Sequence, residues 1–259
     1  MRFKQELDSE QAEKQPQRGI YLLPNLLTTA ALFAGFYSIV AAMKGHFEAA
    51  AIAIFVGMIA DGLDGRVARL TNTQTAFGAQ YDSLSDMVAF GIAPALVIYS
   101  WSLSYLGKLG WLAAFLYTAA TALRLARFNV QITDKTYFQG LPCPSAAGVI
   151  ASIIWMGASF QAQGSLFAVP ISAFIIVIAA LMVSTIRYYS FKHVDFKGRV
   201  PFITVVIAVF IIAAVALEPP EMLFSLFLIY IISGPVITLW QIRKMREHRH
   251  HHSEQHKKT

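Results

Sequence analysis

Four aspartates fall within residues 61–86, and their spacing is that of a charged site rather than a scattered surface. The run Asp61-Gly62-Leu63-Asp64-Gly65-Arg66-Val67-Ala68-Arg69 is followed, after eight residues, by Gly78-Ala79-Gln80-Tyr81-Asp82-Ser83-Leu84-Ser85-Asp86. On a helix, Asp61, Asp64, Gly65 and Ala68 stand at i, i+3, i+4 and i+7 and share one stripe. Gly78, Asp82 and Asp86 at i, i+4 and i+8 share another. Two such helices packed antiparallel around a turn at 70–77 would bring four carboxylates together. Hard divalent cations such as Mg²⁺ or Mn²⁺ suit an all-oxygen donor set of this kind and keep open positions for phosphate. Gly65, Ala68 and Gly78 leave room for a bulky ligand on the same faces. Salt bridging to Arg66 and Arg69 would balance the charge, but it would not account for the small residues beside the acids.

The elements that position these residues are apolar and long. Hydrophobic residues make up 56% of the chain and charged ones 14%, with a mean hydropathy of +0.53. A soluble domain carries about 25% charged residues, so lipid is the expected solvent. Stretches of about 20 mostly apolar residues are long enough to span a bilayer. Eight are found, at approximately 24–43, 46–65, 79–100, 109–128, 144–161, 166–186, 200–217 and 221–242. The runs are too long and too unalternating for barrel strands. The expected fold is therefore an all-α integral membrane protein of about eight transmembrane helices. A polar segment at 1–19 precedes a membrane domain at 20–242. A basic, His-rich tail at 243–259 follows, expected to be disordered. Residues 16–23 form a candidate interfacial segment.

Basic residues set the orientation. Lys44 and Lys108 lie in one set of connections; Arg2, Lys4, Lys14, Arg18, Arg66, Arg69, Arg124, Arg127, Lys135, Arg187, Lys192, Lys197, Arg199, Arg243, Lys244 and Arg246 lie in the other. Both termini are expected on the cytoplasmic side of the cell membrane, with the aspartates at the cytoplasmic end of helices 2 and 3. The net charge of +6 follows from this topology and from anionic lipid, with no need of nucleic acid. The single cysteine, Cys143, reads as a small buried filler.

The segment 61–86 resembles the signature of the CDP-alcohol phosphatidyltransferase family: D-x-x-D-G-x-x-A-R, eight residues, then G-x-x-x-D-x-x-x-D. Pro24-Asn25-Leu26-Leu27-Thr28 is similar to the start of that family's first helix. The resemblance covers roughly residues 20–190. It implies a CDP-linked lipid whose pyrophosphate is held by two divalent cations. Asp61, Asp64, Asp82 and Asp86 would be metal ligands, and Asp86 also the general base toward the acceptor alcohol. It further implies CDP-lipid contacts from Gly65, Ala68, Gly78 and Arg69, and from Asn25 and Thr28. A homodimer belongs to the same expectation.

The signature does not name the alcohol. Leu123-Arg124-Leu125-Ala126-Arg127-Phe128-Asn129, with Gly140-Leu141-Pro142-Cys143-Pro144, resembles the branch of the family that transfers to L-serine. There the serine carboxylate would need a guanidinium partner, and Arg124, Arg127 and Asn129 are the candidates. The alternative for the two arginines is anchorage to lipid headgroups. The alternative acceptors are glycerol 3-phosphate and inositol phosphate, with Lys135, Arg187 and Lys192 as added phosphate-binding charge. A cation-coupled transporter is a remote reading. It would show paired inverted halves with acids near the midplane, whereas here the acids gather at one helix end.

Overall fold

The computed structural model describes residues 22–130, 137–189 and 202–256. Eight long helices run through them: α1 (Leu22–Met43), α2 (Phe47–Leu70), α3 (Ala76–Trp101), α4 (Lys108–Val130), α5 (Cys143–Ser159), α6 (Ala168–Val183), α7 (Phe202–Leu217) and α8 (Pro219–His256). Each coincides with one of the apolar segments read from the sequence. Among the described residues, five helical stretches are long and apolar enough to cross a membrane: Leu22–Met43, Ala76–Trp101, Lys108–Val130, Gly164–Val183 and Pro219–Thr238. Of the other three, α2 has the length but carries Asp61, Asp64, Arg66 and Arg69. α5 and α7 have 17 and 16 residues.

α2 runs on past its apolar stretch to Leu70, as a stripe through Ala68 requires, and α8 runs past 242 to His256. Hydropathy marks where lipid ends, but a helix stops only where its backbone hydrogen bonding is broken. Residues 243–256 contain neither Gly nor Pro, and Arg, Lys, Met, Glu and Gln are good helix formers. The tail expected to be disordered is therefore helical as far as His256. Residues 1–19, most of the segment 16–23, and Lys135, Lys192, Lys197 and Arg199 lie outside the described residues.

A second departure is a short antiparallel strand pair where only helices are expected. β1 (Tyr137–Gln139) follows α4 and β2 (Arg187–Tyr189) follows α6, with Tyr137 opposite Tyr189 and Gln139 opposite Arg187. The pair lies in the connections, so the argument against membrane strands is untouched. The Gly-Leu-Pro block closes it onto α6. Gly140 N–H donates to Ile186 O at 2.9 Å, and Leu141 N–H to Leu181 O at 3.1 Å. Gly140 has φ +78°, and a Cβ there would stand 2.2 Å from Met182 O. Only glycine fits both constraints. Pro142 then caps α5, with Pro144 in its first turn, where a missing N–H costs nothing.

Small residues let the helices near the acids approach closely, as in other membrane bundles. α1 packs against both α2 and α3, with Ala31, Ala34, Ala50, Ala51, Ala53 and Ala60 buried. A Cβ on Gly57 of α2 would lie 3.5 Å from both Ala31 O and Ala34 Cβ of α1. Ser38 of α1 donates to Ala50 O of α2 at 2.7 Å. α1 is thus the brace against which both acidic helices are held.

Candidate active site

The turn between α2 and α3 is short and tightly bonded. Thr73 N–H donates to Ala68 O at 3.0 Å, and the hydroxyls of Thr71 and Thr73 meet at 2.7 Å. Thr75 caps α3, its hydroxyl accepting from Gly78 N–H at 2.9 Å. The turn therefore delivers the last third of α2 and the first third of α3 to one place. Asp61, Asp64 and Asp82 each offer a carboxylate oxygen there, all within 4.8 Å of one another. Asp86 shares a side-chain hydrogen bond with Asp61 and feels the charges of Asp82 and Asp64. The four acids predicted to converge do so.

Three like charges this close repel unless a cation or protons intervene. The donors are all carboxylate oxygens, with no thiolate or imidazole among the three, and their spacing needs little closing to surround one hard ion. The residues fit a divalent cation of the Mg²⁺ or Mn²⁺ type. Arg66 and Arg69 are exposed on α2.

Asp64 is only 5% exposed, and the Thr28 hydroxyl donates to its Oδ2 at 2.6 Å. Ser85 Oγ donates to Thr28 O at 3.0 Å, so one residue of α1 touches both acidic helices. The Thr28 hydroxyl thus orients a carboxylate of the site. Its neighbour Asn25 places Oδ1 3.5 Å from where a Gly78 Cβ would be. The two small positions also differ. A Cβ on Gly65 would meet nothing within 4 Å, whereas one on Gly78 would lie 3.1 Å from the Thr75 hydroxyl. Gly65 borders open space, while Gly78 has a reason within the protein to be small. Ala68 and Arg69 lie on the same last turns of α2, half-buried and exposed respectively.

Of the residues on α4 expected to hold an acceptor, Asn129 and Arg124 are brought toward this cluster, and all three have a partner of their own. Arg124 is half-buried; its Nη1 donates to Cys143 Sγ at 3.1 Å, and its Nε is buried without a hydrogen-bond partner. Cys143 lies within reach of the charges of both Arg124 and Asp86. The cysteine is a filler, as expected, but also a tether. Arg127 Nη1 donates to Ser184 O at 3.4 Å, at the C-terminal end of α6, where a cation is favoured by the helix dipole. Asn129 exchanges hydrogen bonds with Ser83, at 3.1 and 3.2 Å, tying α4 to the helix of Asp82. No pattern in the sequence announced the Cys143 tether, because the two residues belong to different helices.

Comparison with known proteins adds to this geometry. The family profile described as CDP-alcohol phosphatidyltransferase matches residues 21–173, more than half of the chain and all of the acidic site. A CDP-diacylglycerol–serine O-phosphatidyltransferase of Helicobacter pylori (strain ATCC 700392 / 26695) is 38% identical over 218 residues, covering 83% of this chain and 91% of the relative. An archaetidylserine synthase of Methanothermobacter thermautotrophicus is 37% identical over 169 residues, 64% of this chain and 69% of the relative. A CDP-diacylglycerol–serine O-phosphatidyltransferase of Bacillus subtilis (strain 168) is 32% identical over 170 residues, 66% and 91% respectively. With its apolar helices, its aspartate cluster and these relatives, the chain belongs to the CDP-alcohol phosphatidyltransferase family, as a multi-pass membrane protein.

Proposed function

We propose that the protein transfers the phosphatidyl group of CDP-diacylglycerol to the hydroxyl of L-serine, giving phosphatidylserine and CMP. The observation that carries this reading is the convergence of Asp61, Asp64 and Asp82 beside a half-buried arginine with an unused donor. The relatives named for transfer to serine support the choice of alcohol. Asp61, Asp64, Asp82 and Asp86 hold two divalent cations in this reading. When bound, these ions neutralise the pyrophosphate and stabilise charge on the attacking and leaving oxygens. The chain's own work is then positioning, which is what phosphoryl-type transfer chiefly requires. Asp86 takes the proton of the serine hydroxyl as that oxygen bonds to phosphorus and the bond to CMP breaks. Gly65, Ala68, Gly78 and Asn25 line the CDP moiety, Arg69 reaches phosphate, and Thr28 serves through Asp64. Arg124, with Arg127 and Asn129 beyond it, faces the serine carboxylate.

All eight helices span the membrane in this reading, with both termini and the acidic site on the cytoplasmic side, and residues 20–242 form one membrane domain that acts as a homodimer. The lipid tails stay in the bilayer while serine arrives from the cytosol. Purified protein given CDP-diacylglycerol, Mn²⁺ or Mg²⁺ and a panel of alcohols is expected to release CMP fastest with serine. Faster release with glycerol 3-phosphate or inositol phosphate would reassign the acceptor. Solute flux across sealed vesicles, with no CMP release for any alcohol, would overturn the enzyme reading itself.

Two further outcomes follow from the site. Thr28→Val removes the hydroxyl that orients Asp64 and is expected to weaken Mn²⁺ binding about 10-fold, the usual effect of losing a partner behind a metal ligand. Titration with Mn²⁺ followed by electron paramagnetic resonance measures it. Gly65→Leu should weaken CDP-lipid binding and leave Mn²⁺ affinity near wild type, because its side chain enters open space. Gly78→Leu should weaken CDP-lipid binding too and also lower thermal stability, since its Cβ would press on the Thr75 cap at 3.1 Å. Equal CDP-lipid affinity in Gly65→Leu would move the nucleotide elsewhere.

A further inference from the structure

α3 is not one continuous α-helix. It is α-helical over Ala76–Asp86, π-helical over Met87–Ile92, and α-helical again over Ala93–Trp101. The cause is Pro94. In an α-helix the Phe90 carbonyl would accept from the N–H of residue 94, but proline has none and its ring crowds that oxygen. The chain widens instead, and Ala93 N–H reaches Val88 O, five residues back. Without that N–H, the carbonyls of this turn have one helical donor fewer, and inside a membrane an unmet backbone group is costly. Tyr117 of α4 supplies the donor, its hydroxyl lying 2.8 Å from Phe90 O. Both residues are fully buried. One turn further along α4, Thr121 packs on the same widened turn; a Cβ on Gly91 would stand 3.0 Å from Thr121 Cγ2.

The widened turn begins at the residue after Asp86. A π turn holds one residue more than the α turn it replaces, and each residue turns the helix by about 100°. It therefore sets the rotation of the segment bearing Asp82 and Asp86 relative to the well-packed segment 93–101. The geometry points to Tyr117 as a positioning residue for the transfer reaction, acting with Pro94 to hold the π turn that aims Asp86. This rests on the reading of Asp86 as the base. Tyr117 touches no substrate; it acts through the backbone of α3.

Three variants test it, each assayed as purified full-length protein with CDP-diacylglycerol, L-serine and Mn²⁺. Tyr117→Phe is expected to lower kcat by about 10- to 100-fold, the scale of an ångström-level misplacement. KM for both substrates should stay within about threefold, while Mn²⁺ affinity falls together with kcat, because Asp82 and Asp86 ride on the misaimed segment. In Tyr117→Phe/Pro94→Ala, the new N–H of residue 94 satisfies the Phe90 carbonyl, so thermal stability should recover while kcat does not. Recovery of kcat in that double variant would mean that Tyr117 only satisfies a carbonyl, and would overturn the proposal. So would wild-type kcat in Tyr117→Phe. If Tyr117→Phe does not fold, Pro94→Ala alone decides: stable and slow supports the π turn as an aiming device, stable and fully active overturns it. Asp86→Ala is measured in parallel; full turnover there removes the base assignment, whatever the Tyr117 variants do.

Discussion

Asp61→Ala, Asp64→Ala and Asp82→Ala are each expected to abolish turnover while the protein still inserts and stays folded. The three carboxylate oxygens lie within 4.8 Å of one another, so removing any one opens the cage that surrounds a cation. Charge stabilisation by a bound metal is worth several kcal/mol, so losing it should slow transfer by about 10³-fold or more. The sign of the effect on stability separates this from misfolding. Without metal the acids repel, so deleting one charge should leave the metal-free protein at least as stable as wild type by thermal melting. Asp64→Ala keeps a partner for the Thr28 hydroxyl, because Pro24 O lies 3.1 Å away. Chelation should silence the wild-type protein, and added Mn²⁺ or Mg²⁺ should restore it. Full activity in exhaustively chelated protein would sink the metal reading.

The other large effect concerns the acceptor. Arg124→Lys should raise the serine KM by roughly 30- to 1000-fold and leave CDP-lipid affinity near wild type. Lysine keeps the charge but loses the planar fork that grips a carboxylate with two bonds. Losing one partner of a partly buried charged pair costs about 2–4 kcal/mol, which is that range of affinity. The structure favours Arg124 for the larger effect, because its Nε is buried and unused. Arg127 already donates toward Ser184 O, so Arg127→Lys should do less to KM and more to stability. Serinol, which lacks the carboxylate, should be a poor acceptor for wild type and should distinguish the variants little. Unchanged serine KM in Arg124→Lys would return the arginine to a structural role beside Cys143.

Much of the site was legible because its information is local. Asp61 and Asp64 lie within one helical turn, as do Asp82 and Asp86, and the turn joining their helices is only a few residues long. Helical periodicity alone then aligns the acids. The long apolar runs were equally legible, since hydropathy over about 20 residues reports the solvent directly. The strand pair was not, because β1 and β2 are drawn from connections on either side of two whole helices. The helical course of residues 243–256 is not legible in hydropathy, which marks where lipid ends and not where a helix stops.

The identity and stripe of the four acids, the small residue at Gly65 and the apolar segments were set by types and spacing in the chain, as near-neighbour properties must be. What each polar group does inside the site was decided by packing between helices remote in sequence. Thr28 serves Asp64 because α1 lies against α2. Arg124 is held by Cys143 because α4 meets the start of α5. Tyr117 donates to the Phe90 carbonyl because α4 crosses α3 at that turn. A hydroxyl or guanidinium spends its few hydrogen bonds on whichever partner the folded bundle brings within 3 Å or so, and only the tertiary structure chooses that partner.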